Sequence, residues 1–479
     1  MNHQGSSSPA TDRTFSIEQR GIDLVPPGER HGRPSSLFWM WLGTNLNVFY
    51  VVNGAIVIAI GLSFTQSLLA ILLGNLAFLA VGLTSLQGPE TGTATFAINR
   101  AAYGPNGGRG LAFFNWFTLV GFEASGIALI VLASLELLSK AGVQETTTVK
   151  VVVILAAALI QLALPLLGHA TILAAERWFA YLLAPLFLVM AILVAPKVHL
   201  AALSHGGSWA EIAVAVALVI SAGGLSWANT GSDYSRYLPR RASKTAIFWW
   251  ASLGGMIPAV LLEVLGAAVA SVVKTASDPI AGLPHALPAV VVLPYLVFAI
   301  LTLFAVNTID LYSSGLTLQA IGLRLKRWQC VIVDLGICVV VTYFAIFSST
   351  FNSLYTEFLG LLILWLAPWV AIYAVDWWLR HGHYDSASLV TTSGGRYWRG
   401  NGFHLPGIVA QLLGMLAAAM WIDSPAFVGP LSRATNGSDF SVFMGLAVGG
   451  VVYWALARRS VAGEETDVQG GEVTARATA

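Results

Sequence analysis

Twelve long apolar stretches, separated by short polar or charged segments, organise this chain. They run approximately over residues 37–62, 67–86, 111–139, 149–167, 172–195 and 209–230 in the first half. The second half gives 246–273, 287–320, 331–347, 354–379, 405–422 and 440–457. A helix needs about 20 mostly apolar residues to cross a hydrocarbon core roughly 30 Å thick. The pattern therefore predicts an all-α integral membrane protein of about twelve transmembrane helices. An even count puts both termini on one side.

Two stretches are unlike the rest. The first carries Asn45, Asn47, Asn53 and Gly54 among apolar neighbours, and the sixth carries Ser221, Gly223, Gly224, Ser226, Asn229, Thr230 and Gly231. Glycine weakens a helix, and amide and hydroxyl side chains can satisfy backbone groups that a break releases. In lipid, broken backbone survives only where protein buries it or where it lines a cavity. The two stretches lie five apart, as expected if spans one to five and six to ten form inverted repeats. Interrupted segments at matching positions of two halves point to a midplane substrate site. The alternative is that these glycines only let helices pack closely.

Composition agrees. Charged residues are 10% of 479 and apolar residues 56%, with a mean hydropathy of +0.73, whereas a soluble domain carries about 25% charge. The net charge of +1 is spread in short clusters between apolar runs and gives no sign of nucleic-acid binding. Of the 25 Lys and Arg, all but Lys140, Lys150, Lys197, Lys274 and Arg433 fall in segments on the N-terminal side. The positive-inside bias therefore predicts cytoplasmic termini in the cell membrane. The polar N-terminal stretch has no apolar core followed by small residues, so no cleavable signal is expected. Cys330 and Cys338 share one run and read as packing residues. No His pair has metal-ligand spacing, and neither a Gly-x-Ser-x-Gly elbow nor a phosphate-cradling Gly-Lys-Ser loop is present, which argues against an enzyme or an ATP-driven pump.

Several local patterns then resemble one family, in order along residues 17 to 460. Gly21-Ile22, Pro26 and Glu29-Arg30, ahead of Leu37-Phe38 and Trp41, resemble the entry segment of the nucleobase:cation symporter-1 family, the purine-cytosine permease-like transporters. Gly54-Ala55 and Gly61-Leu62-Ser63 look like its first helix; Gly92, Arg100, Tyr103-Gly104 and Gly107 look like its loop between helices two and three. Asp233-Tyr234-Ser235-Arg236-Tyr237 is similar to the signature after helix six. Asn307 with Leu311-Tyr312-Ser313-Ser314-Gly315-Leu316 resembles helix eight of the cytosine permeases; Pro368, Asp376 and Arg380 to Tyr384-Asp385 resemble the end of helix ten. The resemblance implies two inverted five-helix repeats of the sodium-coupled amino-acid-transporter type, about 36–196 and 208–380, with two extra helices over about 404–458. Residues 1–35 and 459–479 would be cytoplasmic. It further implies a symporter that moves a small heteroaromatic ring by alternating access, needs no cofactor, and couples to H+ or Na+. A transporter of the same fold for a vitamin-like or amino-acid substrate is the alternative.

A flat heteroaromatic ring requires apolar faces to stack on and in-plane donors and acceptors for its edge. Phe122 stands where cytosine permeases carry a stacking tryptophan, and Trp227 stands where hydantoin-type members place a second aromatic. Asn307 aligns with a substrate-bonding position, with interhelical glue as the alternative, and Asn53, Ser221, Ser226 and Asn229 are weaker candidates, either for edge contacts or for holding the broken helices. An intramembrane acid is a functional suspect by default, so Glu123 is a candidate for substrate contact or proton exchange, with a purely structural, hydrogen-bonded role as the alternative, followed by Glu263 and Asp310. Thr302 is the one oxygen-bearing side chain over 299–306, a poor set for sodium, which leans the coupling toward a proton. Asp233 and Arg236 are expected to form a structural or gating ion pair.

Overall fold

A computed structural model describes residues 12–348 and 351–477, apart from the side chains of 202, 351–357, 359–360 and 465–477. The first eleven residues of the expected N-terminal segment and the last two of the tail lie outside that range. Among the described residues there is no strand, and twelve apolar spans are present if the first is counted as one broken span. Span one is Ser35–Asn45 and Val48–Ala59, bent by 62°. Spans two to five are Phe64–Thr91, Arg100–Lys140, Thr147–Leu167 and His169–Lys197. Span six is Trp209–Ala222 followed by Gly224–Ala228 and Gly231–Ser235. Spans seven to ten are Lys244–Ala270, Ala289–Ile321, Arg327–Phe347 and Phe351–Leu379. Leu405–Trp421 and Ser441–Ala477 are spans eleven and twelve.

Local chemistry starts these helices where the apolar runs begin. Ser63 and Gln66 form a capping box at span two, and Ser208 and Glu211 form another at span six. Thr146 and Ser243 cap spans four and seven. Each such cap is worth about 1 kcal/mol. The outer sides stay apolar: on span four Leu159 and Ile160 are 69% and 62% exposed, which suits lipid and not water.

Two boundaries differ from the hydropathy reading. Helical structure at span three begins at Arg100, eleven residues early, and kinks at Gly104 (φ 78°, ψ 160°) before the long run from Pro105. Protein holds this polar first turn, Arg100 donating to the Leu389 carbonyl at 2.7 Å and Tyr103 to Gln411 at 3.0 Å. The helix of span twelve continues past 459 to Ala477, so the described part of the expected tail is helical. Its Glu464 accepts from Arg380 at 2.8 Å and also bonds Arg399. That docks the extension against span ten, where Arg380 pairs with Asp376 at 2.9 Å and Tyr453 donates to the same carboxylate at 2.6 Å.

Packing sorts eight of the first nine spans into two groups, with span five against the first half of span one. Span seven packs along both halves of span one, and span two packs on span six; spans three, four, eight and nine pack among themselves. These contacts come in matched pairs. One–seven has its counterpart in six–two, three–nine in eight–four, and three–four in eight–nine. That correspondence is what two repeats, offset by five spans, produce. Small residues allow the close approaches: a Cβ at Gly54 would overlap the Glu263 backbone, and one at Gly266 the Val51 carbonyl.

Candidate functional site

Both suspected breaks exist, and amides and hydroxyls hold them. In span one, Leu46 (ψ 70°) and the extended Asn47 interrupt the helix. Asn45 donates to the Trp41 carbonyl at 2.8 Å and Asn47 to the Thr44 carbonyl at 2.8 Å, while the Asn47 side chain accepts from the Phe49 N–H at 3.0 Å. In span six the chain leaves helical geometry at Gly223 (φ −113°, ψ −118°). There Ser226 donates to the Gly223 carbonyl at 2.8 Å, and Thr230 to the Trp227 carbonyl at 3.0 Å. Gly54 is not at a break; it is one of the packing glycines. Gly224 is a close-approach position too, because a Cβ there would meet the backbone of Ala77 and Phe78.

Where the two breaks face spans three and eight, a cavity opens. It is lined by Asn47, Phe49, Tyr50, Asn53, Phe122, Ala222, Ser226, Trp227, Val306, Asn307 and Asp310, and about 490 Å³ of space lies between its lining atoms, part of it open. Five residues expected at a substrate site therefore meet at one place: Phe122, Trp227, Asn307, Asn53 and Ser226. Trp227 is fixed by donating its indole N–H to Tyr50 at 3.2 Å and by an edge contact with Trp41 at 5.6 Å. Phe122 meets the Phe358 ring of span ten edge-on at 5.4 Å. Asn307 donates to the Glu123 backbone carbonyl at 3.1 Å, which sets the plane of its amide. Ser221 and Asn229 are not among the lining residues; Asn229 donates to Asn115 at 2.6 Å and ties span six to span three.

Glu123 and Thr302 are not brought to the cavity. The Glu123 side chain turns away toward span nine, where its carboxylate accepts from the Cys338 thiol at 3.1 Å. Asp334 lies beside it, held by Trp116 at 2.7 Å and by Ser314, and the acidic and thiol atoms of Glu123, Asp334 and Cys338 lie within 4.8 Å of one another. Cys338 is thus a hydrogen-bonding residue as well as a packing one. Thr302 is fully buried and donates to the Ala299 carbonyl of its own helix at 2.8 Å. The acid that does line the cavity is Asp310. One signal for it was present in the sequence: Asp310 lies three residues beyond Asn307, on the same face of span eight. Phe49 and Tyr50 gave no such signal, because their direction depends on the bend at Asn47.

The expected Asp233–Arg236 pair is not formed. Asp233 accepts from the Thr95 N–H at 2.8 Å. Arg236 points to the N-terminal segment, where it pairs with Glu18 at 3.2 Å, donates to the Tyr312 hydroxyl at 3.0 Å and bonds the Gly21 carbonyl. The two side chains take tertiary partners on different segments, Thr95 for Asp233 and Glu18 for Arg236, instead of each other. Glu18 also accepts from Tyr237 at 2.5 Å and lies 3.6 Å from Arg327 of span nine. Farther along the segment, Asp12 bonds His169 at 2.6 Å. Burial pushes the Asp12 carboxyl up, but His169 and the Ala170 N–H outweigh it and hold the group below its ordinary range. Trp41 meets Tyr234 edge-on and Tyr234 meets Tyr312 at a tilt, with ring centres 6.0 and 5.4 Å apart, so a row of aromatic side chains lies between this layer and Trp227 of the cavity.

A fold of two matched five-span repeats with a cavity at two helix breaks is that of a membrane transporter. The family described as permeases for cytosine/purines, uracil, thiamine and allantoin matches residues 24–445, and the chain belongs to it. It is 27% identical over 454 residues to YxlA of Bacillus subtilis, whose name classes it with the purine-cytosine permeases; the match covers 92% of this chain and 96% of that one. The purine-cytosine permease fcyB of Emericella nidulans is 25% identical, with 92% and 88% covered. Among solved structures, the nucleobase-cation-symport-1 transporter Mhp1, closed with bromovinylhydantoin bound, superposes with a TM-score of 0.75 at 17% identity, covering 93% of this chain and 96% of that one. A Na+-coupled sialic acid symporter superposes with a TM-score of 0.57 at 12% identity, covering 92% of each chain. Those two likenesses concern the fold.

Proposed function

We propose that this chain is a symporter that imports a nucleobase or related small heteroaromatic ring across the cell membrane by alternating access, with both termini cytoplasmic. The observation that carries the reading is the cavity itself. Phe122 and Trp227 supply faces for a flat ring, while Asn53, Ser226 and Asn307 supply edge partners, all at the two helix breaks. Family membership supports the substrate class. Because the family description includes thiamine, a vitamin-like ring is the second reading.

Proton coupling is the version the residues support better. Thr302 is the lone oxygen-bearing side chain over 299–306 and is bonded within its own helix, whereas sodium prefers several oxygen ligands. Buried carboxyl groups are plentiful at Asp310, Glu123 and Asp334. Of these only Asp310 lines the cavity; Glu123 is turned from the ring to Cys338 and Asp334 and serves there as a structural acid. Asp233 and Arg236 serve in the N-terminal-side layer, each with its own partner.

The test is uptake by a transport-deficient host offered labelled nucleobases, hydantoin, allantoin and thiamine, with and without sodium or an uncoupler. Saturable, uncoupler-sensitive accumulation of at least one nucleobase-like ring is expected. No accumulation of any such ring would remove the substrate class. Loss of uptake in low sodium, with the proton gradient intact, would overturn the proton reading.

A further inference from the structure

Asp310 is an exception among the buried acids of the spans. Glu123 has the Cys338 thiol, Glu176 has Thr44, Asp233 has the Thr95 N–H, Glu263 has Asn75, Asp334 has Trp116 and Ser314, and Asp376 has Arg380 and two tyrosines. No donor among the described residues reaches the Asp310 carboxylate, although the residue is only 4% exposed and lines the cavity beside Asn307. A carboxylate left charged without partners in such surroundings costs several kcal/mol. The side chain therefore needs a proton, a complementary ligand edge, or both.

Resting on the nucleobase-type reading above, we propose that Asp310 is the specificity-determining acid of the cavity. It grips rings that carry an exocyclic amino group beside a basic ring nitrogen, and the gripped pair holds the proton that crosses with the ring. The hydrogen-bond inventory gives the reason. A carboxyl group and an amidine edge make two parallel hydrogen bonds: one O–H or N–H bond along the acid–ring-nitrogen line, and one from the amino group to the second carboxyl oxygen. Since the ring nitrogen can itself take the proton, the pair gains charge-assisted character. A dicarbonyl imide ring can receive the acid's O–H on a carbonyl, but it cannot take the proton and forgoes that gain. The balance is simple. One proton enters from the outer solution, lies between the Asp310 oxygen and the ring, and leaves with the ring on the inner side.

The titratable groups facing Asp310 are Tyr50 from span one, Glu123 from span three, Tyr234 from span six and Cys338 from span nine; no Lys or Arg lines the cavity. Glu123 is the one that could mimic the effect, so it supplies the control. In proteoliposomes, cytosine and adenine are compared with uracil and hydantoin at pH 5.5 and 7.5, for the wild type, Asp310→Asn and Glu123→Gln. Wild type should favour the amino rings by about tenfold, a typical yield of one charge-assisted bond. It should also take up a proton with each ring, read as alkalinisation outside. An amide pairs equally well with either edge, so Asp310→Asn should lose both the preference and the pH dependence. Glu123→Gln should keep both. A wild type that favours the imide rings overturns the proposal without any variant. So does an Asp310→Asn protein that keeps preference and pH dependence, or a Glu123→Gln protein that loses them. If no ring of either kind is carried, the functional reading itself has failed, a separate result.

Discussion

Two polar layers cross spans six and eight within a few residues of each other, and they are built on opposite rules. On the N-terminal side, Glu18 gathers Arg236, Arg327, Tyr237 and Tyr312, and Asp12 takes His169; these buried charges meet partners within the protein. Two residues before Tyr312 on the same helix, Asp310 faces the cavity with no donor from the described residues. A satisfied layer holds one conformation, because separating its charges leaves each uncompensated. A layer with open valences is a binding surface awaiting a ligand. The carboxylate of Glu18 ties the N-terminal segment to spans six, eight and nine, whereas that of Asp310 stays open to the cavity.

The largest effect should come from breaking the satisfied layer. Glu18→Ala leaves Arg236 and Arg327 buried without their carboxylate, a loss of about 3–5 kcal/mol in this arrangement. Amide hydrogen exchange over residues 15–30 should rise by a hundredfold or more, and unchanged protection would show that Glu18 does not hold the segment. In the open layer, Phe122→Ala removes a stacking face worth about 1–3 kcal/mol per ring. Uptake affinity should fall roughly 5- to 150-fold, while hydrogen exchange of the N-terminal segment stays as in the wild type; a variant with wild-type affinity would displace Phe122 from the site. At the contact of spans one and seven, Gly54→Val drives a side chain into the Glu263 backbone, with an overpacking cost of about 1–3 kcal/mol. Thermal stability should drop, and a neutral result would mean that spans one and seven are farther apart. The smallest effect is that of pH on Asp12. Its folded value lies below the ordinary 3.8, so its contribution is complete above that range and is lost only as pH falls through the lower folded value. Protection of residues 12–20 should therefore be equal at pH 5.5 and 7.5.

Much of this was legible in the chain. Twelve apolar runs specify span count and order, because hydropathy and length are properties of each segment alone. The Asn-rich first span and Gly-rich sixth span announced their breaks for the same local reason. The side-chain partners were harder to read. Glu123 adjoins Phe122 in sequence, yet consecutive helical residues point about 100° apart, so one meets the cavity and the other span nine. Asp233 and Arg236 sit in a short turn beyond the break, and Arg236 finds Glu18 from 218 residues away. No local pattern encodes such a pairing. Span three's polar beginning and the extension of span twelve were missed for a related reason: tertiary bonds to Leu389, Gln411 and Arg380 stabilise helix where hydropathy is silent.

The central claim is that the cavity at the two breaks binds a flat heteroaromatic ring through Phe122 and Asn307. Equilibrium binding of a radiolabelled ring to purified, detergent-solubilised protein tests it directly, using the best substrate from the uptake panel. Wild type should bind saturably with one ring per chain, and Phe122→Ala and Asn307→Ala should each weaken binding at least about fivefold while remaining folded by their melting curves. Undiminished binding in both variants would place the ring elsewhere and contradict the account.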